Sequence, residues 1–397
     1  MHANQLQLEQ SIQTIAASIE PTSTEVISWD EARGRILGEV IAADRDNPAI
    51  DVSAMDGYAL RLCDCKEDPI PIAGTIAAGQ APRSLPEGHA MQVFTGAPVP
   101  PEAECVLRRE DTEESKATIR IRPSIRSPQF GENIRRQGEN CKEGALILEP
   151  GTMATPSSMA ALATFGYPDL EVYRKVRLVI LNTGDEIQSI SDPVEPWQIR
   201  DSNGPCLEYF LKSLPFVDVV SRVRVRDDLR STITLLKAWI PEFDAIILTG
   251  GVSMGDSDHV PEAIISAGGK IVFHKIPIRP GKPVLGALGP QGQLIMGLPG
   301  NPVSVMVTAR RILAPLLQKL AGASNWYMPP TAVELINADT KTLPLVWFRL
   351  VRLVSPGRAE LLPTHGSGDI TSLACSDGFV EIPPESSGPG PWPFYGW

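Results

Sequence analysis

A multidomain α/β plus β protein is the fold class this sequence predicts, on three observations. Residues 174–325 alternate strand-like and helix-like runs, whereas 45–140 and 326–397 carry short β-type runs broken by Pro and Gly. The chain's 397 residues also exceed what one ordinary core absorbs, at roughly 150 residues per domain. We therefore expect an elongated chain with a three-layer, doubly wound α/β domain, a β-rich inserted domain and a small barrel-like C-terminal β domain. The composition shifts place a helical linking domain at 1–44 with 141–173, the inserted domain at 45–140, the α/β domain at 174–325 and the C-terminal domain at 326–397.

Leu8, Ile12, Ile15 and Ile19 form one apolar stripe, predicting an N-terminal helix ended by Pro21. Ser28 and Glu31 match a capping box, predicting a second helix. Thr155 as N-cap, Pro156 at the first helical position and Gly166 beyond the end frame a third. In the α/β region "VRLVIL", "VDVVSRV", "DAIILT", "KIVFHKI" and "QLIMGL" read as buried strands. "GPCLEYFLKSL", "DDLRSTITLLKAWI", "PEAIISA" and "PVSVMVTARRILAPLLQKL" read as the helices between and after them. That alternation predicts a parallel or mostly parallel sheet covered on both faces, with ligands beyond the carboxyl ends of its strands. The last residues, "PPESSGPGPWPFYGW", read as a loosely held terminus.

A net charge of −11 argues against nucleic-acid binding, which needs a basic face. No apolar run reaches the roughly 20 residues of a bilayer span, and the N-terminus lacks a signal-peptide pattern, so a cytoplasmic location is the expectation. Six scattered cysteines fit reduced thiols better than a disulfide frame or a zinc site. Two local basic clusters, 120–136 and 274–282, could each hold an anion.

Three loops, "NTGDEI", "TGGVSMGDSDH" and "GLPGNPVS", follow predicted strands and should open at one sheet edge. Their glycines allow backbone N–H groups to approach an anion, and Asn301 with Pro302 looks like the start of a helix aimed at the same place. The acids Asp185, Glu186, Asp256 and Asp258 would repel a bare phosphate, a conflict that Mg²⁺ resolves by bridging carboxylates to phosphate oxygens. Gly251-Val252-Ser253-Met254-Gly255 also matches the G-x-S-x-G nucleophile elbow. An elbow needs a helix directly after its serine, yet Pro261 is the first clear helix start, so Ser253 reads better as a hydrogen-bond donor to phosphate. Lys275, Arg279 and Lys282 lie within eight residues around a Pro-Gly corner and suit a compact oxyanion. "SAMDGYAL" and "FTGAPVP" place Asp56 and Thr95 in tight turns of the β-rich domain.

Together with "GENIRRQGEN", "DSNGP", "PIRPGKPV" and "GSGDITSLACSDGF", these segments resemble, in order over nearly the whole chain, the molybdopterin molybdotransferase family of molybdenum-insertion proteins, which has related domains in gephyrin. The resemblance implies a Mg²⁺-dependent reaction of adenylated molybdopterin with molybdate, giving molybdenum cofactor and AMP. It places Thr183, Gly184, Asp201, Asn203, Thr249, Gly250, Gly251 and Ser253, with Pro299, Asn301 and Pro302, around the nucleotide and its phosphates. Glu186, Asp258 and Asp227 or Asp228 become the acids around Mg²⁺; Arg279, Lys282, Arg349 and Ser367, beside Lys275, the molybdate site. Asp56 and Thr95 would reach the cleft from the partner subunit of a homodimer, and a molybdopterin adenylyltransferase is the candidate delivery partner. Asn140 stands where the family often has an acid, Arg279 where lysine is common, and His259 where an aromatic is frequent. The other readings are an inactive molybdopterin-binding carrier or scaffold, and an adenylyltransferase-like enzyme.

Overall fold

The computed structural model describes residues 3–252 and 258–397. The chain divides into two compact units, one comprising Met1–Glu39, Glu149–Met159 and Pro168–Trp397, the other Val40–Leu148 and Ala160–Tyr167.

In the larger unit, the strands Val217–Val225, Val176–Thr183, Ala245–Thr249 and Leu294–Leu298 lie side by side in that order and run parallel. The three inner strands are apolar almost without interruption because both faces are covered, whereas Val217–Val225, expected to be buried, is an edge strand with Asp218, Val220, Ser221 and Arg224 exposed. Leu178, Ile180, Ile247 and Met296 face a core shared with the helices Asn203–Lys212 and Pro302–Thr308. Val179, Leu181, Ile246 and Ile295 face a second core under Leu229–Trp239 and Val260–Ser266. This period-2 division between two helical layers is the three-layer arrangement the alternation predicts. The apolar stripe of the N-terminal helix Ala3–Ala16 seats Leu8, Ile12 and Ile15 in the first core.

The sheet is only mostly parallel. Lys270–His274 pairs antiparallel with Leu285–Leu288, a strand too short and Gly-interrupted to stand out in the sequence, and that strand pairs antiparallel with Leu294–Leu298. The helix beginning at Pro302 runs on to Leu320 through one wide π-type turn at Ala309–Leu313. Pro315 follows that turn, and a proline lacks the N–H that a regular helix would require of it.

Two local expectations are corrected. Ser28 caps no α-helix: Thr24–Ser28 is a strand paired with Asp169–Tyr173, followed by a single 3₁₀ turn, Trp29–Glu31, with no hydrogen bond from the Ser28 side chain. β-branched Thr24, Val26 and Ile27 fit a pleated strand, which wins over the capping box. The C-terminus is not loose either: Trp392–Gly396 pairs with both Thr331–Leu335 and Gly378–Ile382. It thereby closes a five-stranded barrel with Val346–Ser355 and Arg358–Leu361. Trp392 and Phe394 pack on the barrel core, burial that outweighs the Pro/Gly-rich local sequence.

The smaller unit holds a six-stranded sheet ordered Cys105–Arg108, Gly57–Leu60, Ala90–Val93, Ile70–Ile76, Thr118–Ile121, Thr112–Glu114. Ala59, Met91 and Val106 enter one core and Tyr58, Ala90 and Leu107 another, again by alternation. Among the described residues, no helix is long and apolar enough to cross a membrane.

Candidate active site

The first strand of the parallel sheet, Val176–Thr183, has its successor Val217–Val225 on one side and Ala245–Thr249 on the other. Such a reversal of strand order opens a crevice beyond the carboxyl ends. A cleft of about 1670 Å³ lies there, larger than the roughly 300–1,000 Å³ of a drug-sized site. Its walls include Thr183, Gly184 and Glu186 after the first strand, Gly250–Val252 after the third in chain order, and Pro299–Ser304 after Leu294–Leu298. The barrel adds residues from 341–350 and 362–370, and Ile278–Pro283 lies in the segment before the short strand Leu285–Leu288. Thus the three glycine-bearing loops open together. Ser253 and Asp256 lie outside the described residues.

Asp201 organises one wall. Its buried carboxylate accepts from Asn182 Nδ2 (2.7 Å), the Gly204 N–H (2.9 Å) and Arg222 Nη1 (2.8 Å). A Cβ at position 204 would come within 2.3 Å of Asn182 Nδ2, so glycine is required for this approach. Asn203 Nδ2 donates to the Gly300 carbonyl at 2.7 Å, tying the 201–204 turn to the loop before Asn301. Thr249 is buried behind the surface, donating from Oγ1 to Asn182 Oδ1, and does not line the cleft itself. Gly250 has φ +85°, and an added Cβ would sit 2.7 Å from the Thr183 carbonyl oxygen. Gly250→Ala is expected to cost about 1–3 kcal/mol of stability. The clash should push the two loops apart, and thermal unfolding would read the loss of stability.

Most charges divide by element. Glu186, Asp227 and Asp258 come from the α/β loops, as does Arg200, while Arg279, Lys282, Lys341 and Arg349 come from the 278–283 turn and the barrel. Burial, with the charges of Glu186 and Asp185, pushes the Asp227 carboxyl above its ordinary value against the pull of a Thr183 hydrogen bond and of His259. Asp228 instead caps the helix Leu229–Trp239, accepting from the Ser231 N–H, so of the two aspartates Asp227 is the one that lines the cleft. Ile278–Arg279 pairs with Val346–Trp347, which sets Arg279 opposite Trp347. Arg349 stacks over the Trp347 ring at 4.3 Å and donates to Asp339 at 2.9 Å. That bond, foremost, holds the Asp339 carboxyl below its usual range. The Lys341 N–H also donates to Asp339, at 3.1 Å, so one carboxylate shapes both cationic positions. Lys275 departs from its expected place: it adopts φ +64° and is not among the cleft residues.

Ser367 lines the cleft with its carbonyl accepting from the Val303 N–H (3.1 Å) and its Oγ accepting from Asn301 Nδ2 (3.0 Å). Asn301 occupies the N-cap position and Pro302 the first helical position, but the Asn301 side chain makes no capping bond. Asp369 fixes the same loop, accepting from the His365 N–H, Ser372 Oγ and Thr371 Oγ1. These hydrogen bonds, that of Ser372 foremost, hold its carboxyl far below the usual range. Lys341, Trp347, Asp339 and Asp369 were missed by sequence reasoning; only Asp369, in "GSGDIT", carried a local signal, that of an N-cap before "ITSLA".

Asp56 and Thr95 lie in the smaller unit and bond to each other: the Asp56 carboxylate accepts from the Thr95 N–H (2.7 Å) and Oγ1 (2.8 Å). Asn140 bridges Arg135 and Asn47 there. Within the basic cluster 120–136, Arg126 pairs with Glu132, Arg135 with Glu139 and Arg136 with Asp51. His274 Nε2 donates to the Val252 carbonyl oxygen at 2.9 Å.

Comparison with known proteins agrees with this geometry. Residues 6–166 match the model "MoeA N-terminal region (domain I and II)" and residues 179–319 match "Probable molybdopterin binding domain". The molybdopterin molybdenumtransferase of Synechococcus elongatus is 34% identical over 91% of this chain and 91% of its own length. That of Haemophilus influenzae is 35% identical over 80% of this chain and 78% of its own. The molybdopterin biosynthesis MoeA protein of Pyrococcus horikoshii superposes with a TM-score of 0.79 at 26% identity, covering 98% of this chain and 97% of that one. With its cleft at the switch point of the α/β sheet, its closed C-terminal barrel and these relatives, the chain belongs to the molybdopterin molybdenumtransferase family, a family of transferases.

Proposed function

We propose that this protein inserts molybdate into adenylated molybdopterin, yielding molybdenum cofactor and AMP in a Mg²⁺-dependent reaction. The observation that carries the reading is one cleft whose α/β loops supply carboxylates and backbone donors while the 278–283 turn and the barrel supply most of its cations. A pterin joined through pyrophosphate to AMP spans such a cleft; a tetrahedral oxyanion suits Arg279, Lys282, Arg349 and Ser367.

The donor set fits Mg²⁺. Asp227 is crowded by Glu186 and Asp185, a repulsion that a divalent cation relieves. Among the described residues no three carboxylate, histidine or cysteine side chains form a ready-made cage. This accords with Mg²⁺, which takes one or two carboxylates and completes its shell with phosphate and water. One or two of the carboxylates of Glu186, Asp227 and Asp258 would hold it, and it would offset negative charge on the pyrophosphate. The chain's own groups do the rest: the Gly251 N–H orients the phosphates while the Gly250 N–H is held by the Leu298 carbonyl, and the cations hold molybdate at the pterin dithiolene. In a homodimer, Asp56 and Thr95 would serve the cleft of the partner subunit.

The test is AMP release from adenylated molybdopterin with Mg²⁺ and molybdate each present or omitted. Release should need both; tight binding without release would point instead to a carrier. Asp258→Ala should suppress AMP release, whereas Lys282→Ala should raise the molybdate requirement by about 10–150-fold, the loss of one charge-assisted contact. Equal effects of both substitutions on both readouts would defeat this division of labour.

A further inference from the structure

We infer that Asn301 is a positioning residue that commits the Ser367 hydroxyl to donating into the cleft, an inference that rests on the oxyanion assignment of Ser367 above. A serine hydroxyl has one proton and two lone pairs. Asn301 Nδ2 donates to Ser367 Oγ at 3.0 Å, filling a lone pair and leaving the proton for another acceptor. Molybdate, as an anion without donors of its own, rewards a hydroxyl that presents its proton and repels one that presents lone pairs.

The ordinary role of an N-cap asparagine is to accept from its own helix. Asn301 does not do so; its amide N–H is spent on Ser367 instead. Both partners are held from behind. Buried Asn203 grips the Gly300 carbonyl next to Asn301, while the Val303 N–H grips the Ser367 carbonyl. On the far side, Asp369 gathers His365, Thr371 and Ser372 and so fixes the loop two residues beyond Ser367. Asn301 therefore acts through Ser367 rather than as a phosphate ligand.

A double-mutant cycle on the full chain separates these roles. Ser367→Ala and Asn301→Ala should each raise the molybdate concentration for half-maximal AMP release roughly tenfold, a charge-assisted hydrogen bond's share. The KM for adenylated molybdopterin should stay unchanged. In the Ser367→Ala background, Asn301→Ala should add nothing. Asn301→Asp, whose carboxylate would capture the Ser367 proton, should be worse than Asn301→Ala, and most of that excess should vanish in the Ser367→Ala background. Additive effects, or a raised KM for adenylated molybdopterin in Asn301→Ala, would overturn the inference. If Ser367→Ala leaves the molybdate dependence untouched, the oxyanion assignment itself falls, an outcome distinct from additivity.

Discussion

Glu381→Ala is expected to destabilise the larger unit by about 3–5 kcal/mol, the cost of leaving a buried charge without its partner. The charge is Arg311, on the wide turn that precedes Pro315 and only 3% exposed. Its Nε donates to Glu381 at 2.6 Å and its Nη1 to the Tyr327 hydroxyl at 2.6 Å, while Nη2 reaches Glu9. The Tyr395 hydroxyl donates to the same Glu381 oxygen, and both tyrosine rings lie within cation–π range of the guanidinium. Burial alone would lower the Arg311 pKa, but Glu381 above all, with the two tyrosines, drives it well above its ordinary value. This cluster joins the N-terminal helix, the long helix and the barrel, which is why its loss should be felt beyond one contact. Urea unfolding would show the midpoint fall for Glu381→Ala. Arg311→Met combined with Glu381→Leu should recover much of it, because no unpaired charge then remains in that pair. A midpoint unchanged by Glu381→Ala would mean that Glu9 alone neutralises the arginine.

Asp201→Ala should strike the cleft as hard. Removing the carboxylate strands the Gly204 N–H and the Asn182 amide, at a cost of about 3 kcal/mol, while Arg222 keeps its bond to Glu208. The functional consequence should exceed the thermal one, because Ile199–Asn203 lines the cleft and carries the Asn203 contact to Gly300. If the cleft acts as proposed, AMP affinity should fall about 10–100-fold, read by calorimetry at a temperature where the variant is folded. Asp201→Asn keeps the shape but turns an NH₂ toward existing donors, so it should recover little. Full recovery by asparagine would show that shape rather than charge sets this wall.

The two-faced apolar strands, the stripe of Leu8, Ile12 and Ile15, and the glycine loops at the sheet edge were all legible because they arise from neighbours along the chain. What stayed hidden depended on distant partners. Nothing local tells "KIVFH" to run against its neighbour, or "WPFYG" to close a barrel; those follow from pairing with Leu285–Leu288, and with Thr331–Leu335 and Gly378–Ile382.

The same division holds at the site. Side-chain type and spacing named Arg279 and Lys282 as oxyanion ligands, the residue types of the loops named Glu186 and Asp258, and only the family resemblance named Arg349. Asp339 beneath Arg349, Trp347 across from Arg279 and Asn301 on Ser367 could not be read, since register and rotamer are fixed by contacts between segments far apart in the chain. Chemistry is written in residue identity and local spacing, but which donor meets which acceptor is decided by long-range packing, because only the assembled core brings residue 301 to residue 367.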